Sequence, residues 1–175
     1  MQQIRILEYD MCDSERKELY DGQIKQHGRI TNMKKTLLNS PLAFKVLMEW
    51  YPLRDEVNKF VDNLGVNTFC YGISAENDCI ICSTFFRRLL IDTGYNPDKL
   101  ELTGINKLLW DYGRALVSKP RDIPQDLFNE LKKHYDEEQI VLLTAFGGMM
   151  IATNLINNAL DVPLDSYLTN YAKNN

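Results

Sequence analysis

Two thiols three positions apart, Cys79 and Cys82, are the part of this chain best equipped for chemistry. They lie in the segment Glu76-Asn77-Asp78-Cys79-Ile80-Ile81-Cys82-Ser83. A CxxC pair can close into a disulfide with little chain movement. The run after it, Ser83 to Asp92 with Gly94 beyond, reads as a helix, and Asn77 or Asp78 is its expected N-cap. Both cysteines then fall in or near the first turn. Free backbone N–H groups and the positive end of the helix dipole there favour a thiolate over a thiol. The location, more than the motif, points to thiol redox chemistry.

The elements that must hold this pair read as helical nearly throughout. An extended arm through Asp13 leads to a short helix from Ser14 to Tyr20, ended by Asp21-Gly22. Thr31 or Asn32 caps a helix through Leu38. Ser40-Pro41 is a helix start, Ser as N-cap and Pro at the first helical position, for a helix running to Trp50 and stopping before Pro52. Asp55 to Leu64 is amphipathic, with Gly65 as its stop. Val66 to Ser74 is apolar and rich in β-branched and aromatic residues. No second strand candidate is present to pair with it, so it reads as a buried helix. Asn96-Pro97 opens a short turn or helix, Gly104 to Val117 a further helix, and Pro124 to Tyr135 an amphipathic one. Asp136-Glu137-Glu138 opens a long apolar helix from Gln139 to about Leu160, and Pro163-Leu164-Asp165 begins the tail. The long helix is apolar all round, so it must be covered on every side, by the core or by a partner subunit, with the partner favoured. No linker or compositional break divides the chain. The expectation is one all-α domain over residues 1–175, with residues 1–30 as an N-terminal arm and short helix.

Composition narrows the function classes. A hydrophobic content of 45% and a charged content of 25% in 175 residues are those of an ordinary globular domain. A net charge of −4 argues against a nucleic-acid partner, and Lys34-Lys35 and Lys132-Lys133 read as solvated helix faces. No uninterrupted apolar stretch approaches the ~20 residues of a membrane span, and the N-terminus lacks an apolar signal core. The expected location is therefore the cytoplasm, with no membrane partner. Cys12 and Cys70 read as small buried hydrophobes. Zinc is disfavoured, because Cys70, Cys79 and Cys82 supply only three thiols and no second CxxC or His pair completes a site. A Cys70–Cys79 disulfide stays open as an alternative. No motif implies an organic cofactor.

Three stretches together resemble the carboxymuconolactone decarboxylase and alkylhydroperoxidase D superfamily. They are Ile30 to Leu42 with its Ser-Pro junction, Val66 to Leu90 leading into the CxxC, and Ala115 to Asp165 with its acidic-started apolar helix ending in Asn154-Leu155-Ile156-Asn157-Asn158-Ala159-Leu160. The resemblance implies an all-α, alkylhydroperoxidase D-like helical bundle that forms homo-oligomers (dimers, trimers or hexamers). It also implies antioxidant, peroxidase-type chemistry in which the second cysteine, here Cys82, attacks a hydroperoxide and the first, Cys79, resolves it as a disulfide. A thiol or dithiol reductant would return the pair to its resting state. The family's relay His, four residues after the second cysteine, is Phe86 here, and its relay Glu, twelve before the first, is Asn67.

With the relay absent, slower peroxidase activity or disulfide exchange is expected. Glu76 or Tyr71 is the nearest candidate proton donor, and Arg87 or Arg88 a candidate aid to thiolate formation. Phe86, one turn after Cys82, would make a pocket apolar and suited to an organic hydroperoxide. The alternatives are a decarboxylase-like lyase, for which Arg87, Arg88, Arg114 and Arg121 could bind carboxylates, and a non-catalytic oligomeric binding protein with a degenerate site.

Overall fold

The computed structural model describes residues 3–173; the first and last two positions of the expected arm and tail lie outside the described residues. Nine α-helices and no strand are found among them: α1 Ser14–His27, α2 Asn32–Leu37, α3 Pro41–Met48, α4 Trp50–Val57, α5 Asn63–Glu76, α6 Ile80–Asp92, α7 Gly104–Ser118, α8 Gln125–His134 and α9 Glu137–Ala159. Short 3-10 turns cover Tyr9–Met11, Pro97–Lys99 and Ser166–Tyr171. The arm is tied down, not free: the Asn39 side-chain amide donates to the Arg5 carbonyl, and Lys35 pairs with Glu8.

Most helix starts follow the expected capping chemistry. Thr31 caps α2, Ser40 caps α3 with Pro41 at its first position, and Asp136 forms a capping box with Gln139 at the head of α9. The expected helix Asp55–Leu64 is absent: its first residues close α4 at Val57, and 58–62 turn the chain into α5, which Asp62 caps. Other boundaries also differ from expectation. Helix α1 runs through Gly22 and ends at Gly28, whose left-handed φ of 72° closes it. Pro52 does not stop a helix but sits in the first turn of α4, where its missing N–H costs nothing. Gly65 opens α5 where it was expected to end the preceding helix. Asp62 accepts its N–H at 2.7 Å, and a Cβ there would lie 2.6 Å from Val61 Cγ1 and 2.9 Å from Leu109 Cδ1.

The core centres on α5, α7 and α9. Phe69 stacks between Tyr112 and Phe146, with ring centroids 6.1 and 6.0 Å apart. Helices α5 and α7 touch backbone to side-chain position, since a Cβ on Gly113 would fall 2.6 Å from the Phe69 carbonyl oxygen. A second, smaller core joins Leu7, Cys12, Leu37, Leu38, Phe44 and Leu47 from the first fifty residues.

By length and apolarity α9 could cross a membrane, with a mean hydropathy of 1.7 over its most apolar window. One face packs inward through Ile140, Leu143, Phe146, Met150, Asn154 and Asn157. Along the other, Val141 and Leu155 are exposed, so the single chain does not cover the helix on every side.

Candidate functional site

The cysteine pair sits where α5 turns into α6. Asp78 adopts a left-handed φ of 50°, and the following amide, that of Cys79, donates back to the Ser74 carbonyl at 3.0 Å. That reversal leaves Cys79 in the extended conformation of an N-cap residue. Cys79 therefore takes the cap position expected of Asn77 or Asp78, and Cys82 falls at the third position of α6. The Cys79 sulfur faces the free amides of Ile81 and Cys82 without closing an aligned capping bond.

Helix α9 grips this turn with three asparagines on one face. The Asn154 amide donates to Ser74 Oγ at 3.3 Å, and its oxygen accepts from Asn77 Nδ2 at 3.2 Å. Asn158 donates to the Asn77 carbonyl at 3.0 Å. Asn157 Nδ2 donates to the Cys82 sulfur at 3.2 Å and reaches the Cys79 sulfur at 3.9 Å, while its Oδ1 is buried without a partner. These residues escaped the sequence reading. Polar side chains at i, i+3 and i+4 in an otherwise apolar helix were the signal that marks them.

The two thiols shift each other in opposite directions. A hydrogen bond from Cys82, with help from nearby amides and Asn157, brings the Cys79 thiol down to about 7 against the effect of burial. Cys82 is pushed up by sharing with Cys79 and by burial. These opposite shifts make Cys79 the more readily ionised thiol of the pair. Access is distributed the other way. Cys82 lines a cavity of about 110 Å³, while Cys79 is fully buried behind it.

The cavity lies at the seam of the two cores, and its wall is mostly apolar. Ile81, Phe85, Phe86 and Met150 come from the main core, and Met33, Leu47, Met48, Trp50 and Tyr51 from the N-terminal side. Its polar lining includes Asn157, Thr153, Lys34 and Asp165. The Lys34 ammonium donates to Tyr51 Oη at 2.7 Å and to Gln23 Oε1 at 2.5 Å. Burial lowers it to about 8, and burial raises the Asp165 carboxyl, although Asp165 accepts the Asn32 amide at 2.8 Å.

Of the supporting residues named from the sequence, Phe86 alone lines this cavity. Asn67 is half-buried on α5, away from it. Glu76 pairs with Arg114 at 2.7 Å. Arg87 is held by Asp98 at 2.8 and 2.9 Å and by the Tyr171 carbonyl at 3.0 Å, and it donates to Tyr71 Oη at 3.4 Å. Arg88 pairs with Asp92. None of these charged groups faces the sulfur. His134 neighbours Glu130, and His27 stacks on Tyr51 with centroids 4.4 Å apart, behind the cavity wall. Cys12 and Cys70 are buried, and all four cysteines are free thiols.

No protein-family model matches the chain, and no curated protein matches it in sequence. Solved structures do match in fold. An uncharacterized peroxidase-related protein of Ralstonia eutropha JMP134, with an alkylhydroperoxidase AhpD core, superimposes with a TM-score of 0.74 at 14% identity, covering 95% of this chain and 94% of that one. A peroxidase-related protein of Silicibacter sp. TM1040 gives 0.72 at 15% identity over 96% and 97%. A cysteine-to-alanine variant of the debrominase Bmp8, in complex with 2,3,4-tribromopyrrole, gives 0.72 at 15% identity over 97% and 94%. The expected all-α, alkylhydroperoxidase D-like fold is the fold of this chain.

Proposed function

We propose that this protein is a thiol oxidoreductase that reduces a small organic hydroperoxide at Cys82 and stores the oxidation as a Cys79–Cys82 disulfide. The observation that carries this reading is the placement of the pair: Cys82 meets the cavity, and Cys79 is buried beside it within reach of the same Asn157 amide. The Cys79 thiolate takes the proton of Cys82, standing in for a relay base. The Cys82 sulfur then attacks the outer peroxide oxygen. An S–O bond forms, the O–O bond breaks, and an alcohol leaves. Cys79 next attacks the Cys82 sulfenic acid, forming the disulfide and releasing water. Two electrons pass from the thiols to the peroxide, and a thiol or dithiol reductant returns them, in keeping with work in the reducing cytoplasm. Asn157 steadies the anionic sulfur through its amide N–H.

Peptide mapping after stoichiometric cumene hydroperoxide tests the reading. A Cys79–Cys82 disulfide that dithiothreitol reverses, and that Cys82→Ser does not form, is expected. Thiols that stay reduced would overturn it.

A second substrate class is favoured by the aromatic wall of Trp50, Tyr51, Phe85 and Phe86 together with the fold shared with a debrominase. An aryl bromide could accept the same two electrons, and free bromide on incubation with 2,3,4-tribromopyrrole and a dithiol would identify it. The exposed row through Val141, Gly148 and Leu155 on α9 supports a homo-oligomer, which sedimentation would reveal.

A further inference from the structure

Peroxide cleavage by a thiolate expels an alkoxide, and an alkoxide is a poor leaving group in an apolar cavity unless an acid meets it. Neither relay position supplies one, since Phe86 cannot carry a proton and Asn67 does not line the cavity. The cavity nevertheless holds an acid, contributed by another part of the chain. Lys34 on α2 lines the same cavity as Cys82, is 4% exposed, and has only neutral hydrogen-bond partners, Gln23 from α1 and Tyr51 from α4. No carboxylate forms an ion pair with it among the described residues. A buried ammonium so placed is costly to keep, and its chemical use is to give up a proton.

We infer that Lys34 is the acid that protonates the alcohol leaving group as Cys82 attacks the peroxide. The assignment rests on the peroxidase reading above. The proton moves from the Lys34 ammonium to the alkoxide oxygen as the O–O bond breaks, leaving alcohol, the Cys82 sulfenic acid and a neutral Lys34 amine. The Cys79 thiol then attacks the sulfenic acid, its proton leaving with the expelled hydroxyl as water, and solvent restores the proton of Lys34. Over the cycle the singly protonated pair, one hydroperoxide and one solvent proton give disulfide, alcohol and water.

Several groups around Lys34 set its proton affinity. Asp165, from the segment after α9, raises it, and Arg29 and Lys35 temper that carboxyl. His27 on α1 and Arg54 on α4 flank Tyr51. Burial outweighs these and leaves Lys34 near 8, so it is mostly charged at neutral pH and still able to release its proton.

The test compares two oxidants in wild type, Lys34→Met and Lys34→Gln, reading single-turnover loss of thiol. Cumene hydroperoxide releases an alkoxide that needs a proton; peracetic acid releases acetate, which does not. We expect both variants to lose about 10²-fold with cumene hydroperoxide and to change little with peracetic acid. The fall in wild-type rate as pH rises through about 8 should disappear in the variants. Equal losses on both oxidants would mean a structural or anchoring role, and unchanged rates on both would mean none; either overturns the assignment while sparing the peroxidase reading. A wild type inert to both oxidants would overturn the reading and the assignment with it. Thermal melting of each variant identifies one that has failed to fold, and the other variant then decides.

Discussion

Two regions of this molecule bury a cation, and they treat it in opposite ways. Arg87, 6% exposed on α6, is met by both oxygens of Asp98, by the Tyr171 carbonyl and by Tyr71. Its charge is answered, its proton affinity is raised by Asp98, and it faces no part of the cavity. Lys34, 4% exposed on α2, meets only an amide oxygen and a phenol, and it lines the cavity. An arginine forked onto Asp98 fastens the turn Pro97–Lys99 to α6, and its bond to the Tyr171 carbonyl fastens the C-terminal segment there. A lysine hydrogen-bonded only to neutral groups keeps its proton available. Burial alone did not separate the structural cation from the chemical one; the charge of its partners did.

Substitutions can break that contrast, and the largest expected effect comes from the sulfur that shares the cavity with Lys34. Cys82→Ser is expected to abolish disulfide formation and turnover, whereas Cys79→Ser should allow one slow oxidation of Cys82 to a sulfenic acid trappable by dimedone. Next comes the exchange of the two cations for methionine. Lys34→Met should lose about 10²-fold in rate while its melting free energy stays within about 1 kcal/mol of wild type, because the cost of a buried ammonium disappears together with two hydrogen bonds. Arg87→Met should do the reverse. It should keep its rate and lose about 1–3 kcal/mol, from buried acceptors left without a donor and from a half-exposed ion pair. Denaturant melts against pH sharpen the point. Asp98 is held below its ordinary value by Arg87, so the pair stabilises above the unfolded carboxyl pKa and loses that contribution as pH falls through the lowered one. The deficit of Arg87→Met should therefore shrink in acid.

Asn157→Leu removes the amide that donates to Cys82 at 3.2 Å, reaches Cys79 at 3.9 Å and favours the thiolate at either sulfur. The rise of oxidation rate with pH, expected near 7 in wild type, should move to higher pH and slow the reaction at neutrality by up to about tenfold per pKa unit. The smallest effect belongs to Tyr51→Phe, which withdraws one acceptor from the Lys34 ammonium. It should shift the alkaline fall in rate to lower pH with little change in the maximum, as a pH–rate profile would reveal.

Legibility was uneven along the chain, for physical reasons. Caps such as Thr31, Ser40 and Asp136 were readable because a side chain three residues from an amide acts locally. Gly22, Pro52 and Gly65 misled because their local tendency to end a helix yields to context. Gly22 is tolerated within α1, Pro52 falls in a first turn, and Gly65 is required where α5 approaches Leu109. Phe86 was expected in the pocket and lines it, since it stands one helical turn from Cys82. Glu76 and Arg87 are near the thiols in sequence but are turned to other partners.

The sequence by itself determined the helices, the thiol pair and its place at the head of a helix, all products of interactions within a few residues. Only the tertiary structure decided which sulfur meets the cavity and which polar groups join the pair. Asn157 and Lys34 stand 75 and 48 residues from Cys82. What brings them to it is the folding of α9 and α2 onto the cavity that Cys82 lines, and a long-range placement of that kind leaves no local pattern to read.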